Sequence, residues 1–174
     1  AVGLRLASAF VRTNALRQSP LSVSHLARTT RRTATTMAAA AWDATREQNL
    51  KEGNNKKGDV LYWMARDQRA ADNWALLRAA SLAKENGSKA RVVFALAPIT
   101  TERRLDFQLK GLVETGRDLN AKGFAFDLIE VDDNAGAAVA AFATAHKISH
   151  VVCDFSPLRE AKRGTQALVD ALPD

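Results

Sequence analysis

The sequence VLYWMARDQRAADNWALL, residues 60–77, carries the strongest structural signals of the chain. It begins with an unbroken apolar run, Val60–Ala65, which predicts a strand buried on both faces of a sheet. Four polar residues, Arg66–Arg69, end this run. A helical pattern begins behind Asp72 and Asn73, either of which is suited to cap a helix. The stretch therefore predicts a strand, a charged loop at its carboxyl end and a helix, and ligands bind at such ends in open α/β sheets.

Three further apolar runs follow, separated by segments with helical periodicity. The four predicted strands are Val60–Ala65, Arg91–Ala97, Phe124–Val131 and His150–Phe155. Strands that alternate with helices predict right-handed βαβ units and a parallel sheet. The predicted fold class is α/β, a Rossmann-like doubly wound parallel sheet with helices on both faces, preceded by a disordered amino-terminal tail. We expect the strand order 3-2-1-4, with the alternating third strand nearer the sheet edge.

Each predicted helix has apolar residues at helical spacing, and we expect these to face the sheet. From the first helix to the fourth they are Trp74, Leu77, Leu82 and several alanines; Leu105, Leu109, Leu112 and Val113; Ala135, Ala138, Val139, Phe142 and His146; and Leu168, Ala171 and Leu172. Gly123 is placed to end the second helix. Tyr62 and Trp63, inside the first strand, are predicted to be core residues rather than electron-transfer groups.

Positive charge is concentrated ahead of this domain. Residues 1–42 contain six arginines and neither lysine nor an acidic residue, which leaves 19 basic and 19 acidic residues from Asp43 onward. The net charge of +6 therefore gives no indication of what the folded part binds. Residues 1–42 have the composition of a chloroplast or mitochondrial transit peptide, or else of a disordered basic tail, and a start at Met37 would allow a nuclear protein. Residues 43–58 are predicted to be a linker and residues 59–174 the α/β domain.

The chain offers little reactive chemistry of its own. Cys153 is the only cysteine, which excludes an intrachain disulfide, and its place at the end of an apolar run predicts a small buried side chain. The three histidines, His25, His146 and His150, are isolated from other metal ligands. We therefore predict no catalytic residue, no metal site and, because arginines interrupt the apolar stretches of the tail, no membrane span.

In the order 3-2-1-4 the chain reverses direction between the first and fourth strands, and the crevice there is the default ligand site. The candidate residues that line it are Arg66, Asp67, Gln68, Asp154, Phe155 and Ser156. The crevice lacks the glycine-rich fingerprint of a dinucleotide site and the phosphate loop of a nucleoside triphosphatase.

Two structural alternatives stay open for these residues. In the first alternative, Asp67 and Arg69 form a loop ion pair that fixes the first helix. In the other, Asp154 or Ser156 caps the last helix, with Pro157 in its first turn.

Four segments of the chain stand in the order and spacing of one known family. They are Tyr62–Leu77; Val92-Val93-Phe94; Arg104 with Phe107, Leu109, Gly111, Leu112 and Glu114; and Val151–Arg159. Residues 59–174 therefore resemble the amino-terminal α/β domain of the photolyase/cryptochrome family, specifically of the class II cyclobutane pyrimidine dimer photolyases.

The resemblance implies a light-driven deoxyribodipyrimidine photolyase, which repairs ultraviolet-induced cyclobutane pyrimidine dimers in DNA. The helical domain of the family binds FAD and the damaged DNA, and we expect it to be missing from this chain, so that the fragment alone is inactive. For the α/β domain the resemblance implies an antenna chromophore, a deazaflavin or a folate, at the crevice residues, or contacts there with the carboxyl-terminal FAD domain. We expect a monomer. The alternatives are a cryptochrome-like non-catalytic module and a stand-alone nucleotide-binding α/β domain.

Overall fold

The computed structural model describes residues 44–53, 57–98 and 101–173. In chain order its elements are a short 3-10 turn at Ala44–Arg46, β1 (Val60–Trp63), α1 (Trp74–Glu85), β2 (Ala90–Leu96), α2 (Glu102–Ala121), β3 (Ala125–Glu130), α3 (Ala135–Ala145), β4 (His150–Cys153) and α4 (Arg159–Ala171). The predicted tail, residues 1–42, lies outside the described residues, so the localisation inferred from it stays a prediction.

The four strands form one parallel sheet in the order β3-β2-β1-β4. In this register Tyr62 of β1 lies between Val92 of β2 and Val152 of β4. All four residues of the central strand β1 are buried, whereas β3 lies at an edge and is only partly buried. The predicted strand order and the edge position of the third strand are therefore confirmed.

Helices cover both faces of the sheet because alternate residues of β1 point to opposite sides. Tyr62 belongs to a core cluster that is shared with α1 and α2, and Trp63 to a cluster that is shared with α3 and α4. Both side chains are buried, as predicted for core residues. The doubly wound α/β fold is confirmed.

Helix α1 faces the sheet with only some of the predicted residues, because Leu82 and the alanines Ala79 and Ala83 pack against the core cluster of this face. Trp74 is 46% exposed and Leu77 57% exposed, and the buried positions are Leu76, Ala79 and Ala83. The prediction was wrong for Trp74 and Leu77 because an alanine-rich helix offers more than one apolar stripe, and only packing against the sheet selects the buried one.

The other helices show the same mixture of outcomes. Leu168 of α4 and Val139 of α3 are buried, as predicted, whereas Val113 of α2, Ala171 of α4 and His146 are exposed.

No helix in the described part of the chain combines the length and the apolar character needed to cross a bilayer.

The helix ends follow the signals in the sequence. Asn73 Oδ1 accepts a hydrogen bond from the backbone amide of Leu76 at 2.9 Å and caps α1, whereas Asp72 has a φ of +50° and forms the turn that precedes the cap. Helix α2 ends at Ala121, and Gly123 has a φ of +86° just beyond it, as predicted.

Part of the segment that the sequence assigns to a linker contacts the folded domain. Lys51 Nζ donates to the carbonyl oxygen of Leu172 at 2.7 Å, at the end of α4. Arg78 of α1 donates from Nη2 to Glu47 Oε1 at 3.2 Å. Residues 44–53 are thus held against α1 and α4, and the predicted domain boundaries stay predictions.

Candidate functional site

The carboxyl ends of β1 and β4 lie side by side, and the carboxylate of Asp154 joins them. Its Oδ2 atom accepts hydrogen bonds from three successive backbone amides, those of Ala65 at 3.0 Å, Arg66 at 2.8 Å and Asp67 at 3.2 Å. Successive amides that converge on one oxygen form an anion-binding nest, and here the anion belongs to the chain itself. The sheet therefore brings predicted residues of both loops together at the switch point.

The second Asp154 oxygen, Oδ1, accepts a hydrogen bond from the buried Tyr62 hydroxyl at 2.7 Å. Asn73 Nδ2 donates to the same hydroxyl at 3.0 Å and lies 2.9 Å from the carbonyl oxygen of Asp67 and 3.2 Å from that of Arg69. Burial, and after it the negative charge of Asp154, raises the pKa of Tyr62 far above its usual range. The phenol therefore stays protonated and serves as a hydrogen-bond donor.

The buried Tyr62 predicts a loss of stability at alkaline pH. A tyrosine in the unfolded chain releases its proton near pH 10, whereas the folded chain keeps that of Tyr62. Because the unfolded state loses the proton first, this contribution to stability is complete below about pH 10 and falls by about 1.4 kcal/mol per pH unit above it. We expect the stability of Tyr62→Phe to fall less steeply over the same range. Urea unfolding of both proteins from neutral to alkaline pH checks this, and parallel pH curves would contradict it.

The same loop is held by Thr115 of α2 and by Lys122, which follows the last residue of that helix. Thr115 Oγ1 donates to the carbonyl oxygen of Gln68 at 3.0 Å, and Lys122 Nζ donates to that of Ala70. Gln68 Nε2 donates within the loop to the carbonyl oxygen of Ala65 at 3.1 Å. Sequence reasoning missed Thr115 and Lys122, and the one signal for Thr115 is a polar residue on the buried stripe of α2. The main chain of this loop is therefore fixed by contacts from the end of β4, from the start of α1 and from α2 with the residue that follows it.

Three predicted residues leave their side chains open to solvent at this edge, namely Arg66, Gln68 and Phe155. Arg66 Nη1 donates to the carbonyl oxygen of Phe155 at 3.2 Å, and Phe155 is 73% exposed. Ser156 is half-buried, and its Oγ accepts a hydrogen bond from the amide of Leu158 at 3.4 Å. A ligand or a second protein surface would meet these side chains first, and their assignment as a binding site stays a prediction.

The predicted ion pair of Asp67 with Arg69 is wrong. Arg69 donates from Nε and Nη2 to the carbonyl oxygen of Asp72 at 3.1 and 2.8 Å, and its Nη2 lies 3.7 Å from the Asp72 carboxylate. The carboxylate of Asp67 instead lies 3.8 Å from Nε of Arg66. Because Asp72 has a positive φ, the chain turns there and places its carbonyl group within reach of Arg69.

The alternative that a crevice residue caps the last helix is also wrong. Helix α4 begins at Arg159 behind Leu158, without a side-chain cap, and Pro157 precedes the helix instead of lying in its first turn. Asp154 cannot serve as the cap because both of its carboxylate oxygens are bonded to β1 and to the loop that follows β1.

A polar cleft of about 420 Å³ opens beside this loop, on the β2 side of β1. The residues around it include Ala65, Gln68, Phe94, Pro98, Arg104 and Gln108. Gln68 is the one predicted site residue that lines it, and Asp154 does not. A larger depression of about 480 Å³, around Thr101 and Phe107, lies away from the predicted residues.

The chain is similar to one family of known proteins over its whole α/β domain. A profile of the family described as DNA photolyase matches residues 60–174. The chain belongs to the DNA photolyase family. The family predicted from the sequence is thereby confirmed, while the class II subtype stays a prediction.

Relatives of this photolyase-family chain carry one name. It is 39% identical over 120 residues to the deoxyribodipyrimidine photo-lyase of Arabidopsis thaliana, which is 67% of this chain and 24% of that protein. It is 40% identical over 125 residues to the enzyme of the same name from Oryza sativa subsp. japonica, and the match covers 69% of this chain and 24% of that protein. It is 38% identical over 116 residues to the enzyme of the same name from Potorous tridactylus, and the match covers 65% of this chain and 21% of that protein. The chain thus spans about a quarter of the length of these relatives.

Solved structures similar to this photolyase domain are distant in sequence. The universal stress protein UspA from Lactobacillus plantarum is 13% identical, with a TM-score of 0.47 over 69% of this chain and 95% of that one. A protein from the universal stress protein family of Burkholderia pseudomallei is 17% identical, with a TM-score of 0.44 over 62% of this chain and 88% of that one. Likeness at this level is no guide to function.

Cys153 adds no nucleophile to the photolyase domain. It is half-buried at the end of β4, where burial and then the charge of Asp154 raise the pKa of its thiol. A thiol with a raised pKa stays protonated at neutral pH and reacts slowly.

Proposed function

We propose that this chain is the amino-terminal domain of a deoxyribodipyrimidine photolyase, which repairs ultraviolet-induced cyclobutane pyrimidine dimers in DNA with the energy of light. The observation that supports this proposal most strongly is the identity of 39 and 40% to plant enzymes of that name across most of the described domain. Because the chain spans about a quarter of those relatives, we assign the activity to the full-length protein.

FAD, which the family resemblance implies, does not fit this domain. A dinucleotide needs backbone amides for its pyrophosphate, and the converging amides of Ala65, Arg66 and Asp67 already bind the Asp154 carboxylate. The loop also lacks the glycines of a dinucleotide fingerprint. We therefore assign FAD, the bond-splitting step and the binding of damaged DNA to the carboxyl-terminal domain of the full-length protein.

An antenna chromophore fits the carboxyl edge better than a dinucleotide does. Phe155 offers an exposed ring for stacking on a planar pigment such as a deazaflavin or a folate. Arg66 and Gln68 offer hydrogen-bond donors for the carbonyl groups of its ring system. The loops that carry these three side chains are held in place by contacts of Asp67, Asp154 and Ser156. A bound pigment would absorb light and transfer the energy to the flavin.

The test is the repair of ultraviolet-irradiated DNA by the full-length protein with FAD bound. We expect pyrimidine dimers to disappear under near-ultraviolet or blue light and to persist in the dark. Binding of flavin without any repair would favour a cryptochrome-like module, and copurification of a nucleotide with the isolated domain would favour a stand-alone nucleotide-binding protein. Either result would contradict the proposal.

The antenna role is tested in the same assay with Phe155→Ala. We expect a several-fold lower repair rate at wavelengths that the antenna absorbs and an unchanged rate at wavelengths that the flavin absorbs directly. Phe107→Ala is the matched control, because Phe107 is 81% exposed on α2 and lines the depression around Thr101, which contains none of the predicted site residues. Equal losses at all wavelengths for Phe155→Ala would indicate a contact with the FAD domain instead.

A further inference from the structure

The amide nest at the switch point is fully occupied by a side chain of the protein itself. Three amides from residues 65–67 and the Tyr62 hydroxyl donate to the two oxygens of Asp154. This set of donors is what a phosphate group requires, because successive amides and a neutral hydroxyl suit a tetrahedral anion. Arg66, whose side chain is 59% exposed, adds a cation at the rim.

We propose that Asp154 determines ligand specificity at this edge, because its carboxylate occupies the position of a phosphate oxygen and closes the nest to phosphate-bearing ligands. The chemistry of the site then selects for ligands without phosphate, which bind through rings and uncharged polar groups. This inference concerns the chemical class of ligand that the edge accepts and not the identity of the pigment.

The surrounding charges strengthen the exclusion. A phosphate that approached the nest would meet the negative charge of Asp154 and, beside it, that of Asp67, and like charges at close range repel strongly where water is partly excluded. Arg66 lies at the rim, but its guanidinium already lies 3.8 Å from the Asp67 carboxylate and donates to the Phe155 carbonyl. The Tyr62 phenol stays protonated, so it remains a donor to whichever anion fills the nest.

Asp154→Ala tests the proposal because it vacates the nest and leaves its donors in place. The measurement is the folded-to-unfolded ratio of the 174-residue chain, from thermal unfolding in inorganic phosphate and in sodium chloride of equal ionic strength. We expect phosphate to raise this ratio roughly tenfold more for Asp154→Ala than for the wild type, the effect of a ligand at about ten times its dissociation constant. If the variant is unfolded in chloride, we expect phosphate to refold it.

Two further variants separate specific binding from the general stabilising effect of phosphate on proteins. Asp154→Asn keeps an acceptor oxygen in the nest and is expected to respond to phosphate as the wild type does. Asp118→Ala removes a carboxylate from an exposed position of α2 and should also respond like the wild type. An equal response of Asp154→Ala and the wild type, including failure of phosphate to refold the variant, would overturn the proposal. So would phosphate-dependent shifts of the amide resonances of residues 65–67 in the wild type.

Discussion

Asn73→Ala is expected to lower the free energy of unfolding by about 3 kcal/mol. Asn73 is 2% exposed, and its side chain both caps α1 and contacts the Tyr62 hydroxyl and the carbonyl groups of Asp67 and Arg69. Loss of the cap accounts for about 1 kcal/mol. The remaining 2 kcal/mol or so arise because the buried Tyr62 hydroxyl and two part-buried carbonyl oxygens lose their donor. Urea unfolding followed by circular dichroism measures the change.

Asn134→Ala is the matched control for this prediction. Asn134 caps α3 in the same way, through a hydrogen bond from the amide of Ala137 to its Oδ1 at 3.0 Å, but it is exposed and holds no loop. We expect the free energy of unfolding of Asn134→Ala to be about 1 kcal/mol lower than that of the wild type, which is the usual contribution of an amino-terminal cap. Equal losses for the two variants would mean that the contacts of Asn73 with the loop contribute nothing to stability.

Gly136→Ala is expected to destabilise the domain by about 2–3 kcal/mol. Gly136 is buried where α3 meets α4, and a Cβ atom there would overlap the carbonyl oxygen of Gly164 and lie 2.7 Å from the backbone nitrogen of Leu168. Because these are backbone atoms of a packed helix, they cannot move aside as a flexible side chain would. The helices would have to separate, and the cluster that contains Trp63 would lose packing.

Gly111→Ala provides the comparison for Gly136. Gly111 is an exposed position of α2, and a Cβ atom there would meet nothing within 4 Å. The same substitution should therefore stabilise the protein by about 0.5–1 kcal/mol, because alanine has the higher helix propensity. The two glycines are expected to shift the urea midpoint in opposite directions, and a stabilising or neutral Gly136→Ala would show that α3 and α4 are not packed this closely.

The fold was predictable because its signals are local. Continuous apolar residues in Val60–Ala65 indicate a strand covered on both faces, and the alternation in Phe124–Val131 indicates an edge strand. Both positions are found in the sheet. The buried faces of the helices were less predictable, since Trp74 and Leu77 are exposed while small alanines lie against the sheet.

The position of the candidate site was predictable from the sequence, but the contacts that each of its side chains makes were not. The strand order placed Arg66 and Asp154 at one edge, and they lie there within hydrogen-bond distance. The sequence did not indicate that Asp154 is bonded to the main chain while Arg66 and Phe155 remain exposed. Nor did it indicate the support from Thr115 and Lys122, since a polar residue on a helix has many possible partners.

The order of strands and helices, the fold class and the photolyase resemblance follow from the sequence, because hydrophobic periodicity and motif spacing are properties of neighbouring residues. The buried faces of the helices and the contacts of the Asp154 carboxylate depend on how the chain packs in three dimensions. Its bonds to the amides of residues 65–67 join residues that are 87 to 89 positions apart. Such bonds exist only once β4 is paired with β1, so their physical basis is the sheet and not the local sequence.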